Sequence, residues 1–167
     1  EALREQHKFE DISVMPTNIY GPGDNYHSSE SHVFASFLRR FINAKRLNKK
    51  NVICWGSGNP LREFLHVDDL ANACLFLLEN WDPNNFEAPR KLNGDKLSFL
   101  NVGTGKDISI KSLAELIAKH CNFDGQINWD QSKPDGTMRK RLDISRIQSL
   151  GWDPCIELSE GIKIMIN

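Results

Sequence analysis

The sequence lacks several patterns that would identify a class of protein at once. Its 167 residues contain no apolar run close to the roughly 20 residues of a membrane span, and no signal peptide opens the chain. The four cysteines are scattered and form no C-x-x-C pair, which favours reduced thiols in the cytoplasm. The formal net charge of −1 gives no basic excess, so we expect neither nucleic acid nor a membrane as partner.

Familiar metal-binding and catalytic patterns are also absent from the sequence. No H-x-x-x-H pair and no neighbouring cysteines accompany the histidines, so we expect no metal site. There is no G-x-S-x-G elbow for a nucleophilic serine. Two G-x-G pairs occur, at 56–58 and 103–105, but Leu61 and Ile108 fill the third glycine position of a dinucleotide-binding fingerprint.

Predicted strands and helices alternate along the chain, which is typical of an α/β fold. The strands are few and short, which indicates part of a larger sheet together with a small α/β lobe. We predict strands at 12–20, 51–55, 62–67, 99–102 and 126–129. We predict helices from His32 to residue 46 with Ser31 as N-cap, at 69–80, after Ser109 as N-cap, and at 143–150 before Gly151.

The helix that begins at His32 has the clearest apolar face. Its apolar residues recur at spacings of four, which places them on one side of a helix that packs on the core. They are Val33, Phe34, Phe37, Leu38, Phe41 and Ile42.

The segment from Trp55 to Asp69 is the most informative one. Trp55 and Arg62 lie on either side of a turn rich in glycine and proline. A flat indole and a planar guanidinium with five donors together suit a phosphorylated ligand that carries a ring. An ordinary turn with a surface arginine fits the same spacing equally well. After the turn, Asp68 or Asp69 is predicted to cap the next helix.

Other candidate residues each allow two interpretations. His32 lies where the positive end of a helix favours a neutral imidazole that can transfer protons, but it also fits a solvated loop. His66 alternates with apolar residues and is predicted to be structural. Arg39 and Arg40 both flank the apolar stripe, so periodicity does not decide which one faces a site. The basic loop at 131–141 is either solvated or a flap over an anionic ligand.

Four longer motifs point to one family. Residues 15–27 read M-P-T-N-I-Y-G-P-G-D-N-Y-H, 55–69 read W-G-S-G-N-P-L-R-E-F-L-H-V-D-D, 101–105 read N-V-G-T-G, and 132–137 read S-K-P-D-G-T. Together they resemble the GDP-L-fucose synthases, which are extended short-chain dehydrogenase/reductases acting on nucleotide sugars. The R-E-F-x-H-V-x-D part occurs in many sugar-nucleotide epimerases and dehydratases, whereas the longer tryptophan-containing motif and S-K-P-D-G-T are more specific.

The resemblance implies the C-terminal portion of an extended short-chain dehydrogenase/reductase, with a remnant of the Rossmann sheet and a small α/β substrate-binding lobe. Residues 1–23 would be the last part of the NADP-binding Rossmann domain. Residues 24–167 would form mostly the substrate-binding lobe, with 61–80 and 98–105 returning to the Rossmann domain.

The resemblance also implies a reaction and a set of site residues. These enzymes convert GDP-4-keto-6-deoxy-D-mannose to GDP-L-fucose by epimerising C3 and C5 and reducing the C4 ketone with NADPH. By position, His32 would be the general acid and would also lie near NADP(H), and Arg62 would contact the diphosphate. The other implied cofactor residues are Pro16, Thr17, Asn18 and Ile19, and the implied contacts to the GDP-sugar are Arg40, Trp55, Arg62 and Asp135.

The sequence departs from the family pattern because it lacks the catalytic Y-x-x-x-K and the glycine-rich nucleotide loop. Neither Tyr20 nor Tyr26 is followed four residues later by lysine, so the catalytic Y-x-x-x-K is absent. We expect that motif and the glycine-rich loop upstream of Glu1, in a missing N-terminal Rossmann half, so the chain alone should be inactive. The full-length enzyme could form a homodimer. The alternatives are another nucleotide-sugar epimerase or dehydratase, or a non-catalytic module for GDP-sugar binding or assembly.

Overall fold

The computed structural model describes residues 2–8, 10–28 and 30–166, which form six helices and nine strands. The helices are α1 (Ala2–His7), α2 (Val33–Arg46), α3 (Val67–Asn80), α4 (Ile110–His120), α5 (Ser145–Ser149) and α6 (Leu158–Ile166). The strands are β1 (Ser13–Pro16), β2 (Asn18–Tyr20), β3 (Asn51–Trp55), β4 (Leu61–Arg62), β5 (Phe64–His66), β6 (Phe99–Val102), β7 (Ile108–Ser109), β8 (Gln126–Asp130) and β9 (Arg139–Lys140).

The strands pair in small, mostly parallel sheets, and the predicted α/β class is confirmed. β1 pairs with β6, β2 with β5, and β3 with β8, all in parallel. In the remaining sheet β4 lies in the middle, antiparallel to β7 and parallel to β9. The pairing of β4 with β9 brings the end of the basic loop beside Arg62, which bears directly on the candidate site.

Two hydrophobic clusters hold these elements together, and β5 stands between them. One cluster joins α2, α4 and α6 to β3 and includes Phe41 and Ile117. The other joins α3 and α5 to β6 and includes Leu100. Successive strand residues point to opposite faces, and accordingly Phe64 belongs to the first cluster while Leu65 belongs to the second.

The predicted helix starts were wrong in two places. α2 begins at Val33 with His32 at the N-cap, and no side chain caps it, so Ser31 does not have the predicted role. α3 begins at Val67, and the imidazole Nδ1 of His66 accepts a hydrogen bond of 3.2 Å from the Asp68 amide, a cap that had been predicted for Asp68 or Asp69. Buried His66 is therefore structural, as predicted. Ser109 caps α4 as expected.

Three other expectations also need correction. The strand predicted at 12–20 is divided at Thr17, because β1 pairs with β6 and β2 with β5. The strand predicted at 62–67 is divided at Glu63 in the same way, because β4 pairs with β7 and β9 whereas β5 pairs with β2. Ile42, assigned to the apolar face of α2, is 39% exposed because it lies at the edge of that face. No helix in the described part of the chain is long and apolar enough to cross a membrane.

The two adjacent residues Phe41 and Ile42 allow a test of the packing. Phe41 is fully buried, so Phe41→Ala should lower the free energy of unfolding by about 3–5 kcal/mol, because it leaves a cavity in the cluster around α2. Ile42→Ala, on the same helix turn, should cost less than about 1 kcal/mol. Urea denaturation followed by circular dichroism measures both, and equal losses would contradict the packing described here.

Candidate functional site

A cavity of about 540 Å³ lies between the end of β2 and the start of α2. Thr17, Asn18 and Ile19 line it, and so does His32 from the first turn of α2. Three of the residues assigned to the cofactor therefore share one space with the residue assigned as general acid. Pro16, the fourth, ends β1 and is not part of the cavity wall.

Hydrogen bonds to neighbouring strands hold the wall of this cavity in place. The side-chain amide of Asn18 donates to the main-chain oxygen of Glu63 at 2.7 Å, and the Thr17 hydroxyl donates to the same oxygen at 3.3 Å. The Thr17 amide donates to the Val102 oxygen at 3.0 Å. These bonds fix the loop between β1 and β2 against both β5 and β6.

The imidazole of His32 does not cap α2, the helix that starts directly after it. His32 occupies the N-cap position of α2 with extended backbone angles, and its main-chain oxygen accepts the first helical bond, from Ser36, at 2.9 Å. Its side chain makes no capping bond. The exposed ring therefore lies at the cavity wall with its nitrogens outside the helix hydrogen bonding.

Arg40 and Trp55 form a second cluster beside this cavity. The Arg40 guanidinium carbon lies 5.4 Å from the centroid of the Trp55 ring, a distance typical of a cation–π contact, and its Nη1 donates to the Ile53 oxygen at 2.8 Å. Both residues line a cavity of about 220 Å³, and Val33 lines this cavity and the first one. Arg39 instead donates to the Ser28 oxygen at 3.2 Å, so of the two arginines Arg40 is the one in contact with Trp55.

The basic loop at 131–141 lies against the glycine-rich turn, as the flap interpretation requires. Asp135 Oδ1 accepts a bond of 2.9 Å from the Ser57 amide, and Asp135 Oδ2 accepts one of 2.6 Å from the Ser57 hydroxyl. The Lys133 ammonium lies 5.7 Å from the Trp55 ring centroid. These bonds, the hydroxyl first and then the amide, lower the pKa of the Asp135 carboxyl below its ordinary value.

Arg62 lies beneath the same loop. It is half-buried in β4, its Nη1 donates to the Leu61 oxygen at 2.7 Å, and its Nη2 would lie 3.1 Å from a Cβ added at Gly136. Among the described residues, no carboxylate forms an ion pair with Arg62 or with Arg40. Two guanidinium groups without a neutralising carboxylate, one of them next to an exposed indole, are suited to bind an anion attached to a ring.

Sequence reasoning missed Glu63, although it follows Arg62 directly. Its side chain is fully buried and accepts hydrogen bonds from the backbone of two loops. The only signal in the sequence is a charged residue between Arg62 and the apolar strand, which a solvated residue would give equally well.

The sequence of this chain is similar to a known family profile and to several known proteins. The sequence profile of the NAD dependent epimerase/dehydratase family matches residues 1–93. A protein of Oryza sativa subsp. japonica named "Probable GDP-L-fucose synthase 1" is 48% identical over 162 residues, which are 97% of this chain and 45% of that protein. The chain therefore spans about half the length of the curated relatives that it matches.

Solved structures show the same partial coverage. A GDP-6-OMe-4-keto-L-xylo-heptose reductase from C. jejuni superposes with a TM-score of 0.85 at 32% identity, over 98% of this chain and 55% of that one. A GDP-L-fucose synthetase from Naegleria fowleri bound to NADP gives a TM-score of 0.77 at 25% identity, over 93% of this chain and 45% of that one.

Substitution of Gly56 tests whether the fold depends on the close approach of Asp135, in the loop at 131–141, to the backbone of Gly56. Gly56 and Gly23 both have a positive φ, so alanine at either position costs about 1–2 kcal/mol in backbone strain. An added Cβ at Gly56 would lie within 2.3 Å of Asp135 Oδ1, whereas at Gly23 it meets nothing within 4 Å. Urea denaturation should therefore show a larger loss for Gly56→Ala than for Gly23→Ala. Equal losses would contradict the contact.

The contact between Asp135 and Ser57 should respond to acid. Because the pKa of Asp135 is lowered in the folded protein, the bonds to Ser57 stabilise the fold fully above the unfolded pKa and are lost as the pH falls through the folded one. NMR titration of the Ser57 amide should give a midpoint below the ordinary pKa of an aspartate. Ser57→Ala should move the Asp135 carboxyl midpoint upward. A wild-type midpoint at the ordinary value, or no change in Ser57→Ala, would contradict the assignment.

Proposed function

The chain belongs to the NAD dependent epimerase/dehydratase family, and from this membership we propose that it is the substrate-binding part of a GDP-L-fucose synthase. The proposal takes the nucleotide and the reaction from the names of its relatives. The observation that carries it is the position of the loop at 131–141, which approaches Arg62 at Gly136 and Trp55 at Lys133, with Arg40 against Trp55 and the cavity that His32 lines next to them.

In the proposed site Arg62 binds the diphosphate. It is half-buried and its planar fork of donors matches phosphate oxygens, while partial burial strengthens the charge-assisted bonds. Arg40 and Trp55 contact other parts of the GDP-sugar, with the indole face as an apolar surface and the Arg40 guanidinium beside it. Asp135 already holds Ser57 through both oxygens, so it contributes by fixing the loop and has acceptor capacity left for a ligand hydroxyl.

The wall of the larger cavity fits the nicotinamide end of NADP(H). Asp24 Oδ2, from this wall, is buried and has no hydrogen-bond partner among the described residues, and Asn18 is held rigidly by Glu63. Residues 16–19 and His32 would hold the cofactor on this side. When bound there, NADPH would supply the hydride that reduces the C4 ketone of the substrate.

His32 is proposed as the general acid for the epimerisation at C3 and C5. Its imidazole lies at the wall of the cavity and makes no capping bond that would have to break before a proton moves. A positioned general acid contributes about 10²–10⁴-fold to a rate. Because Val33 borders both cavities, a ligand in contact with Arg40 and Trp55 would extend toward His32 along the start of α2.

We assign hydride transfer largely to residues that are not part of this chain. The chain contains neither Y-x-x-x-K nor a complete glycine-rich fingerprint, so we propose an N-terminal Rossmann half as its partner and no turnover without it. Residues 1–23, 61–80 and 98–105 would belong to the Rossmann domain and the rest of 24–167 to the substrate lobe. A homodimer of the full-length enzyme and a cytoplasmic location are part of the same proposal.

Calorimetry with GDP tests the proposal on the chain itself. GDP should bind with an affinity that falls roughly 10- to 100-fold in Arg62→Ala, because a charge-assisted contact to the diphosphate is lost. Arg46→Ala removes one exposed positive charge from the end of α2 and should leave the affinity unchanged.

Competing nucleotides separate the alternatives. If UDP or dTDP binds with the same affinity as GDP, a different nucleotide-sugar epimerase or dehydratase is favoured. The absence of nucleotide binding would contradict the assigned site. Turnover of NADPH and the keto sugar by this chain alone would contradict the proposal that an N-terminal Rossmann half is required.

A further inference from the structure

Glu63 carries a negative charge into the interior of the protein. It lies between β4 and β5, and none of its surface is exposed. A buried carboxylate is costly unless hydrogen bonds replace its lost water, and no basic side chain among the described residues forms an ion pair with it. The partners in its hydrogen bonds therefore indicate the structural role of Glu63.

The carboxylate binds the backbone of two different loops. Oε1 accepts hydrogen bonds from the amides of Thr104 at 2.6 Å and Gly105 at 2.7 Å, and Oε2 accepts one from the amide of Leu142 at 2.7 Å. The approach is so close that a Cβ added at Gly103 would lie 2.2 Å from Oε1. The turn at 103–105 has glycine at this position because no side chain fits there.

The main chain of Glu63 reaches a third segment. Its carbonyl oxygen accepts the bonds from Thr17 and Asn18 that fix the wall of the larger cavity. One residue thus joins the cofactor-side loop, the turn at 103–105 and the chain at Leu142, and it directly follows Arg62.

The bond to Leu142 fixes the end of the loop at 131–141. The bonds from Ser57 to Asp135 hold the middle of this loop, and the pairing of β4 with β9 aligns Arg62 with Lys140. Without the bond to Glu63, the loop would keep its bonds to Ser57, its pairing with β4 and the ion pair of Arg139 with Asp107, but it would lose the buried acceptor that holds the Leu142 amide.

We propose that Glu63 is a positioning residue, which holds Arg62 and the loop at 131–141 in place over the nucleotide and in register with the cofactor-side loop. The identity of that nucleotide rests on the proposed function. Glu63 touches neither ligand in this account, and it acts through Leu142, Arg62 and the backbone of the turn.

Asp69 provides a matched control for the cost of altering a buried carboxylate. It is 4% exposed, and its two oxygens accept hydrogen bonds of 3.0 Å from the amides of Cys155 and Ile156. Its chemistry is therefore the same as that of Glu63, but it anchors the segment before α6 and makes none of the described bonds to the loop at 131–141.

The test compares Glu63→Gln with Asp69→Asn in amide hydrogen exchange and GDP calorimetry. Each amide substitution turns a donor toward a backbone N–H, so both should lower the melting temperature. Glu63→Gln alone should speed exchange at 103–105 and 131–142 about tenfold or more, and weaken GDP binding about tenfold. Asp69→Asn should leave both within about twofold of wild type.

If the Glu63→Gln variant does not fold, the Glu63→Asp variant takes its place in the exchange experiment. It keeps the charge but is one methylene shorter, so exchange in the loop should rise by an intermediate amount. Unchanged exchange in the loop, or equal effects of the Glu63 and Asp69 variants on the loop and on GDP affinity, would overturn the proposal. If wild-type protein fails to bind GDP, the proposed function is contradicted, while the exchange comparison still decides whether Glu63 positions the loop.

Discussion

The contact between the loop at 131–141 and the turn at 56–58 is the constraint on which the candidate site depends. Two segments almost eighty residues apart meet through a carboxylate that binds one amide and one hydroxyl of Ser57. This contact turns a basic, exposed loop into a cover above Arg62 and places Lys133 next to Trp55. Neither arginine of the site is neutralised by a carboxylate within the described ranges, so the positive charge under the cover is available to a phosphorylated ligand.

Helix α2 relates the two cavities to each other. His32 lies at its N-cap position, Val33 borders both cavities, and Arg40 extends from its second turn to Trp55. One rigid helix therefore sets the distance between the proposed proton donor and the proposed nucleotide contacts. The core beneath this helix, around Phe41, stabilises an arrangement that the surface residues alone would not hold.

Local patterns in the sequence were sufficient for much of the fold but not for the partners of polar residues. β3 coincides with its predicted range, and the apolar spacing located α2 to within one residue. Ser31 was wrong as a cap because the backbone path puts His32 at the N-cap position of α2, and Asp68 was wrong because the neighbouring His66 caps α3. The contact of Arg40 with Trp55 depends on where β3 lies, and Glu63 is explained by amides about 40 and 80 residues away.

A crystal structure of the chain with GDP bound would test the central claim most directly. We expect the diphosphate within hydrogen-bond distance of the Arg62 guanidinium, under the loop at 131–141, with the ligand in contact with the Trp55 indole. A diphosphate bound elsewhere on the chain, with Arg62 and Trp55 both free of ligand, would contradict it.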